Sequence, residues 1–443
     1  MKRFWLVLLS LGLIVAFSTS AMAVDVKFSG SFYAAGMYLN KVSLSEATES
    51  QSTAFYFQRL RLKTEFVVSP GLSLITRADI MERAWGAART APGIVSDSLS
   101  AGTTAENENI AFDYLYVQYA SPIGVFAAGY MADGAWGTVF ADSEAPATKV
   151  TYMLPLGGLI LIAQAVKVAE NSTTAKNLSG RSDTDNDKYY LIGIYNWKGG
   201  EAGLLGVYGR YAASRPAALG AYMGEFYVLE PYAKVQLGPV KIQAEVDYAW
   251  GTYPEFDSGV GDVSVSNLMG WIDATATFGP VYFGGTAAYI SGDDPATTDK
   301  NEGGLLLNGG NDWNPCLIMF NYERTYWAGA LSGHPYSATG VTNTNSPMSN
   351  AWFFQGKIGG NPIAALDIRG SVSYARADQK PTGVLNNDYG YEVDVTATYK
   401  ITNNLSYMLG AGYLFTGDYF KGASDANNIR NDFLVINKLT LTF

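Results

Sequence analysis

Polar and apolar residues alternate with a period of two over long parts of this chain, in stretches of about ten residues broken by turn chemistry. In 54–69, Leu60, Leu62, Thr64, Phe66 and Val68 share one parity, while Arg59, Arg61, Lys63 and Glu65 share the other. A helix would scatter those charges around its circumference; a strand places them on one face. The pattern returns in 239–250, where Ile242, Ala244, Val246 and Tyr248 oppose Lys241, Gln243, Glu245 and Asp247. It returns again in 364–377 and in 388–401, the latter with Val393, Val395, Ala397 and Tyr399 against Glu392, Asp394, Thr396 and Thr398.

Short turns rich in Gly, Pro and Asn alternate with long polar connections. The short ones are expected at 69–71, 121–124, 155–158, 198–200, 238–239, 279–280, 359–362 and 402–404. The long ones fall near 40–53, 85–108, 133–146, 170–186, 213–222, 251–263, 292–349, 378–387 and 416–430. Eight short turns and nine long loops in strict alternation give about eighteen strands, with sixteen to twenty as the range. The expected fold is all-β, a transmembrane antiparallel β-barrel with both termini on the short-turn side. Tyr119, Trp197, Phe278 and Tyr399 stand on the apolar parity before short turns, and Tyr248, Tyr289 and Tyr374 at the opposite strand ends. Two such belts suit the two membrane interfaces, since these rings are apolar with a wet edge.

The N-terminus reads as a secretory signal peptide over 1–23. Lys2 and Arg3 are its positive start, Phe4 to Phe17 its apolar run, and Ala21-Met22-Ala23 its cleavage site. The barrel domain is then expected over 24–443. Loss of Lys2 and Arg3 takes the formal charge from −10 to −12, so a basic nucleic-acid footprint is absent. No later segment is a continuous apolar run of helical spanning length, and in lipid a chain without such helices must span as a closed barrel.

Residues 431–443 carry the most specific pattern. Phe433, Val435, Leu439, Leu441 and the terminal Phe443 share a parity, interrupted by Asn437, with Lys438, Thr440 and Thr442 opposite. Here the chain resembles the bacterial outer-membrane porins of Gram-negative cells. The resemblance implies that the barrel assembly machinery reads Leu439, Leu441 and Phe443, that the barrel sits in the outer membrane against lipid and lipopolysaccharide, and that small hydrophilic solutes and ions diffuse through a water-filled lumen. A TonB-dependent transporter is disfavoured, because 24–40 already reads as the first strand and leaves no plug domain. Monomer and homotrimer are both compatible with the pattern.

Chemistry is sparse. The single histidine, His334, and the single cysteine, Cys316, would have to serve every nucleophilic, acid–base or thiolate–metal role. The expectation is no catalysis, no cofactor and no metal. Asp183, Asp185 and Asp187, and Asp293, Asp294 and Asp299, lack the spacing of a Ca²⁺ loop and read as solvated charge.

Selectivity is where the charges point. Arg59, Arg61 and Lys63 share the lumen parity; across the 69–71 turn, Arg77 and Arg83 share a parity with Asp79. Neighbouring strands lie ~4.8 Å apart, so these side chains are expected to form one positive wall, partly offset by Glu65 and Asp79. Acids expected on other lumen faces include Glu245, Asp247, Asp273, Asp367, Glu392 and Asp394. The 133–146 connection, with Asp133, Trp136, Asp142 and Glu144, would set acids against that wall if it folded inward; an ordinary surface loop is the simpler reading. The 292–349 connection holds an apolar patch, 316–320, followed by Tyr322-Glu323-Arg324-Thr325-Tyr326-Trp327. It should plug the lumen, cover the mouth or add a hairpin. The alternative to a general porin is a channel specific for an anionic solute or oligosaccharide, resembling the alginate-export type in its arginine-rich lumen.

Overall fold

The computed structural model describes residues 24–86, 110–171, 184–215, 220–259, 261–334, 344 and 346–443; the expected signal peptide and most of the 85–108 connection lie outside the described residues. The strands are β1 (Asp25–Leu39), β2 (Thr53–Ser69), β3 (Leu72–Ala84), β4 (Ile110–Ser121), β5 (Gly124–Asp133), β6 (Ala145–Leu156), β7 (Leu159–Ala169), β8 (Asn186–Trp197) and β9 (Gly200–Tyr211). They continue with β10 (Tyr222–Leu237), β11 (Val240–Phe256), β12 (Ser264–Phe278), β13 (Val281–Ile290), the two-residue β14 (Lys300–Asn301), β15 (Ala351–Ile363), β16 (Leu366–Ala377), β17 (Asp388–Lys400), β18 (Leu405–Thr416) and β19 (Asp432–Thr442).

Eighteen of these form the wall, each antiparallel to its neighbours, with β13 paired directly to β15. β14 stands aside, parallel to β12 at Ser264 and Val265. The wall closes where β1 meets β19, from Ser31 opposite Thr442 to Leu39 opposite Leu434. Phe443 seals the seam: its N–H donates to the Gly30 carbonyl at 3.1 Å, and its carbonyl accepts from Gly30 N–H at 2.8 Å. Closure leaves no unpaired edge, which is what a strand-built membrane span requires.

The parity read from sequence is the inside–outside assignment. Val246 is exposed on the outer surface, whereas its neighbours Glu245 and Asp247 are buried inside. Outward positions carry exposed apolar side chains, Leu191 at 72% and Ile358 at 60% among them. Tyr119, Trp197, Phe278, Tyr399 and Tyr248 are likewise exposed. Such a surface is stable only against lipid.

Seven of the eight short turns fall where expected. At Gly238 and Gly279 the backbone takes φ of 58° and 57°, a region glycine enters without the Cβ penalty. The eighth differs. The strand β15 runs on through 359–362 to Ile363, and the turn is at Ala364–Ala365. Its register against β16 shifts between Gly360 and Ile363; this irregularity takes up Pro362, which lacks the N–H a regular ladder needs.

Two loops enter the barrel. Residues 134–144 join β5 to β6, and 291–350 join β13 to β15. The second contains helix α1 (Tyr322–Ala328). Together they bring a packed hydrophobic core into what would otherwise be a wide lumen: Phe140, Trp313, Phe320 and Trp327 are buried against inward residues Phe57, Trp271 and Phe353.

Candidate functional site

The inward faces of β2, β3 and β4 carry the basic wall. Register places Arg61 opposite Asp79 and Lys63 opposite Arg77. Arg61 grips Asp79 with two donors, Nε and Nη2, each at 2.7 Å. Arg59 lies 3.3 Å from Glu82 and 3.8 Å from Asp79. Arg77 Nε donates to Asp113 at 2.8 Å, and its guanidinium carbon sits 3.6 Å from the Tyr114 ring centre. Glu65 accepts from Ser73 at 2.8 Å and pairs with Lys27 at 3.7 Å. Lys63 is exposed to the lumen and has no carboxylate at ion-pair distance among the described residues. The wall is therefore paired along most of its length. Paired, partly buried arginines keep their charge, but the acids take up much of their field.

Arg83, expected in the lumen row, falls outside it. Met81 has φ of 54°, and the β2–β3 register shifts between Gln58 and Leu60. This bulge turns Glu82 toward Arg59 and sets Arg83 opposite Gln58, on the parity of Leu60 and Leu62. Arg83 is buried there and stands apart from the lumen row.

The 134–144 loop does not stay at the surface. Trp136 Nε1 donates to the Glu230 carbonyl at 2.9 Å and its ring meets Tyr232 edge-on at 5.0 Å. Thr138 N–H donates to Glu245 Oε2 at 2.8 Å. Phe140 stacks on Trp271 at 6.0 Å and meets Trp313 edge-on at 5.2 Å. Gly137 must be glycine, since a Cβ would come within 2.8 Å of the Tyr232 ring. Asp142 accepts from the Trp136 N–H at 2.5 Å. Burial pushes its carboxyl up to about 7, opposed by that N–H and reinforced by Glu245 and Asp312.

Glu144, at the loop's end, faces the arginines: 2.6 Å from Arg77 and 3.2 Å from Arg61. Asp133 does not. It closes β5 on another wall, where Lys149 and Lys188 each donate to it at 3.2 Å and Tyr190 at 3.0 Å.

The described residues of the 291–350 loop pack inside the barrel, the first of the three expected placements, and none of them forms a hairpin. Asn321 caps α1 by accepting from Arg324 N–H at 2.8 Å. Trp327 stacks on Phe57 at 4.5 Å, and Glu323 binds Lys438 at 2.7 Å. The two loops are fastened to each other. Asn311 N–H donates to Ser143 Oγ at 2.9 Å, and Glu144 N–H to Asp312 at 3.2 Å.

Two cavities flank this inner layer. One, of about 430 Å³, is lined by Asp133, Lys149, Lys188, Tyr190, Trp136 and Asp142 with an apolar remainder that includes Ile192, Phe226 and Leu307. The other, of about 360 Å³, is polar, lined by Arg59, Arg61, Asp79, Glu144, Asp312 and Lys438 among others. Sequence reasoning missed Glu82, Asp113, Lys149, Lys188, Asp312 and Glu323. The inward parity of Lys149 with Thr151 and of Lys188 with Tyr190 was a readable signal; the rest depend on bulges or on loop placement. His334 bridges Ser45 Oγ, 3.3 Å from Nδ1, and the Asn428 carbonyl, 3.0 Å from Nε2, tying loops together. Asp185 and, on β8, Asp187 pair with Lys167 at 3.0 and 2.7 Å.

No family model and no curated protein matches this chain. Among solved structures it is similar to Pseudomonas aeruginosa OccK2 (OpdF), with a TM-score of 0.54 and 11% identity over 95% of this chain and 98% of that one. P. aeruginosa OpdK with vanillate gives 0.51 at 13% identity, covering 94% and 99%. P. aeruginosa OccK9 (OpdG) gives 0.52 at 15% identity, covering 94% and 99%. Identities this low speak to architecture, and the chain has the fold of these outer-membrane porins.

Proposed function

We propose that the protein is a non-catalytic outer-membrane channel through which small hydrophilic solutes and ions diffuse. The observation that carries this reading is the closed wall with an apolar exterior and a lumen that keeps open cavities, lined in part by ionic side chains, beside two inward loops. A barrel serving only as an anchor would have no use for rows of inward ionic side chains. Liposomes containing the purified protein should swell in small neutral sugars and stop swelling above a size cut-off. Failure to swell in any sugar or salt, with the barrel folded, would sink the reading.

The substrate-specific alternative has an observation of its own. The larger cavity joins two ammonium groups, held by one carboxylate, to an apolar wall. That combination suits a small anion with an apolar body. The solved P. aeruginosa structures include OccK2 (OpdF) with glucuronate and OpdK with vanillate, and we carry a small carboxylate over to this chain as the solute class to try first. Saturable block of ion current by such a carboxylate, lost on Lys149→Ala with Lys188→Ala, would favour the specific channel. Free passage of sugars with no block would favour the general porin.

A further inference from the structure

The plug loop meets the wall at an unusual cluster. Glu392 and Asp394 are two apart on β17 and share its inner face; the loop brings Cys316 to them. The three are 0%, 4% and 3% exposed. The Cys316 sulfur and one oxygen of each carboxylate lie within 4.8 Å of one another. Glu392 accepts from Ile318 N–H at 2.6 Å and Met319 N–H at 2.7 Å, one bond to each oxygen, and each oxygen retains a lone pair. Asp394 faces the Leu317 N–H and the Glu392 carboxyl, but neither of its oxygens accepts a well-formed hydrogen bond. Opposite Asp394 on β18 stands Gly412. A Cβ there would come within 2.6 Å of Asp394 Oδ1 and 3.4 Å of Glu392 Oε1, so glycine keeps the space beside both carboxylates open.

Burying two adjacent carboxylates is costly unless their charge is met. Among the described residues neither makes an ion pair. Arg369 and Arg324 act on them only through the field, with Arg369 donating to Gln355 at 3.0 Å and Arg324 to the Gly329 carbonyl at 3.1 Å. Arg324 also faces buried Asp432. With Cys316 as thiolate, four anions stand against two arginines, and one divalent cation brings the nest to neutrality.

We propose that Cys316, Glu392 and Asp394 bind a thiophilic divalent cation of the zinc type, which staples the plug loop to the barrel wall. The sulfur argues against calcium and magnesium, which take oxygen alone. Zinc takes thiolate sulfur at ~2.3 Å and carboxylate oxygen at ~2.0–2.2 Å, which asks the three side chains to draw in by about 1 Å. Ser373, with its hydroxyl 3.2 Å from the sulfur, orients Cys316. The proposal is independent of which solute the channel passes.

The test is refolding of the full chain from urea into detergent with Co²⁺ present, so that a buried site loads as it forms. The expected result is one equivalent of Co²⁺ with a sulfur-to-cobalt charge-transfer band, displaced by Zn²⁺. Cys316→Ser should lose the band, and Asp394→Asn should weaken binding by about tenfold or more. Folding of each variant is read by heat-modifiable migration, and Asp394→Asn keeps shape where Cys316→Ser does not fold. A folded barrel that takes up no stoichiometric Co²⁺ or Zn²⁺, or takes it up equally in both variants, overturns the site and leaves the two carboxylates sharing a proton.

Discussion

Arg77 on β3 and Glu144 at the end of the inward loop meet at 2.6 Å, and the same carboxylate oxygen lies 3.2 Å from Arg61. One loop residue thus answers two guanidinium groups of the wall. Glu144→Gln keeps the shape and removes the charge. It should move the zero-current potential in a salt gradient toward anions, because about 1.4 kcal/mol of altered interaction is already a tenfold preference. Arg59→Gln, Arg61→Gln and Arg77→Gln together should move it toward cations. Both shifts should shrink at high salt, as the screening length falls. Unchanged potentials at low salt, with conductance intact, would place these groups off the ion path.

The parity of the strands was legible because lipid on one side and water on the other impose it residue by residue. The count of eighteen strands followed from the alternation of short turns with long loops. Two local features broke these patterns. The bulge at Met81 turned Glu82 inward in place of Arg83, and Pro362 was absorbed within β15 in place of ending it. Neither carries a compositional mark of its own. The partners of the arginines were illegible for another reason. Glu144 reaches them only because Phe140 finds Trp271 and Trp313, a contact between distant segments that no local period encodes.

Phe140 is the anchor of the 134–144 loop. Its ring is fully buried, and truncating a buried phenylalanine typically costs ~3–5 kcal/mol. The wall does not depend on it, since the ladder hydrogen bonds lie elsewhere. Phe140→Ala should therefore leave heat-modifiable migration intact while single-channel conductance rises and becomes noisier. Unaltered conductance would mean that the loop keeps its place without the anchor.

The seam makes its own prediction. Phe443 exchanges two backbone hydrogen bonds with Gly30, and its neighbours Leu441 and Leu439 pair with Phe32 and Ala34 on β1. Removing Phe443 deletes both bonds at the point of closure. The folded, heat-modifiable fraction in the membrane should fall several-fold, and the chain should accumulate unfolded before insertion. A full yield of folded barrel would show that closure is set by the remaining register alone.

Asp142 links the pore to pH. Its carboxyl is raised from the ordinary 3.8 to about 7, first by burial and then by Glu245 and Asp312, against the Trp136 N–H. A raised acid binds more protons folded than unfolded between those two values, so the stability it contributes is full below about 4 and declines as pH rises to about 7. Above that point the folded loop carries a buried charge beside two other acids. The loop should be held most firmly below about pH 4 and loosen as pH rises to about 7, with conductance fluctuations growing across that range and levelling off above it. Asp142→Asn removes the titrating group while keeping an oxygen to accept from Trp136. It should flatten that pH dependence and leave the loop in its low-pH state throughout. The same profile in wild type and variant would assign the titration to another group.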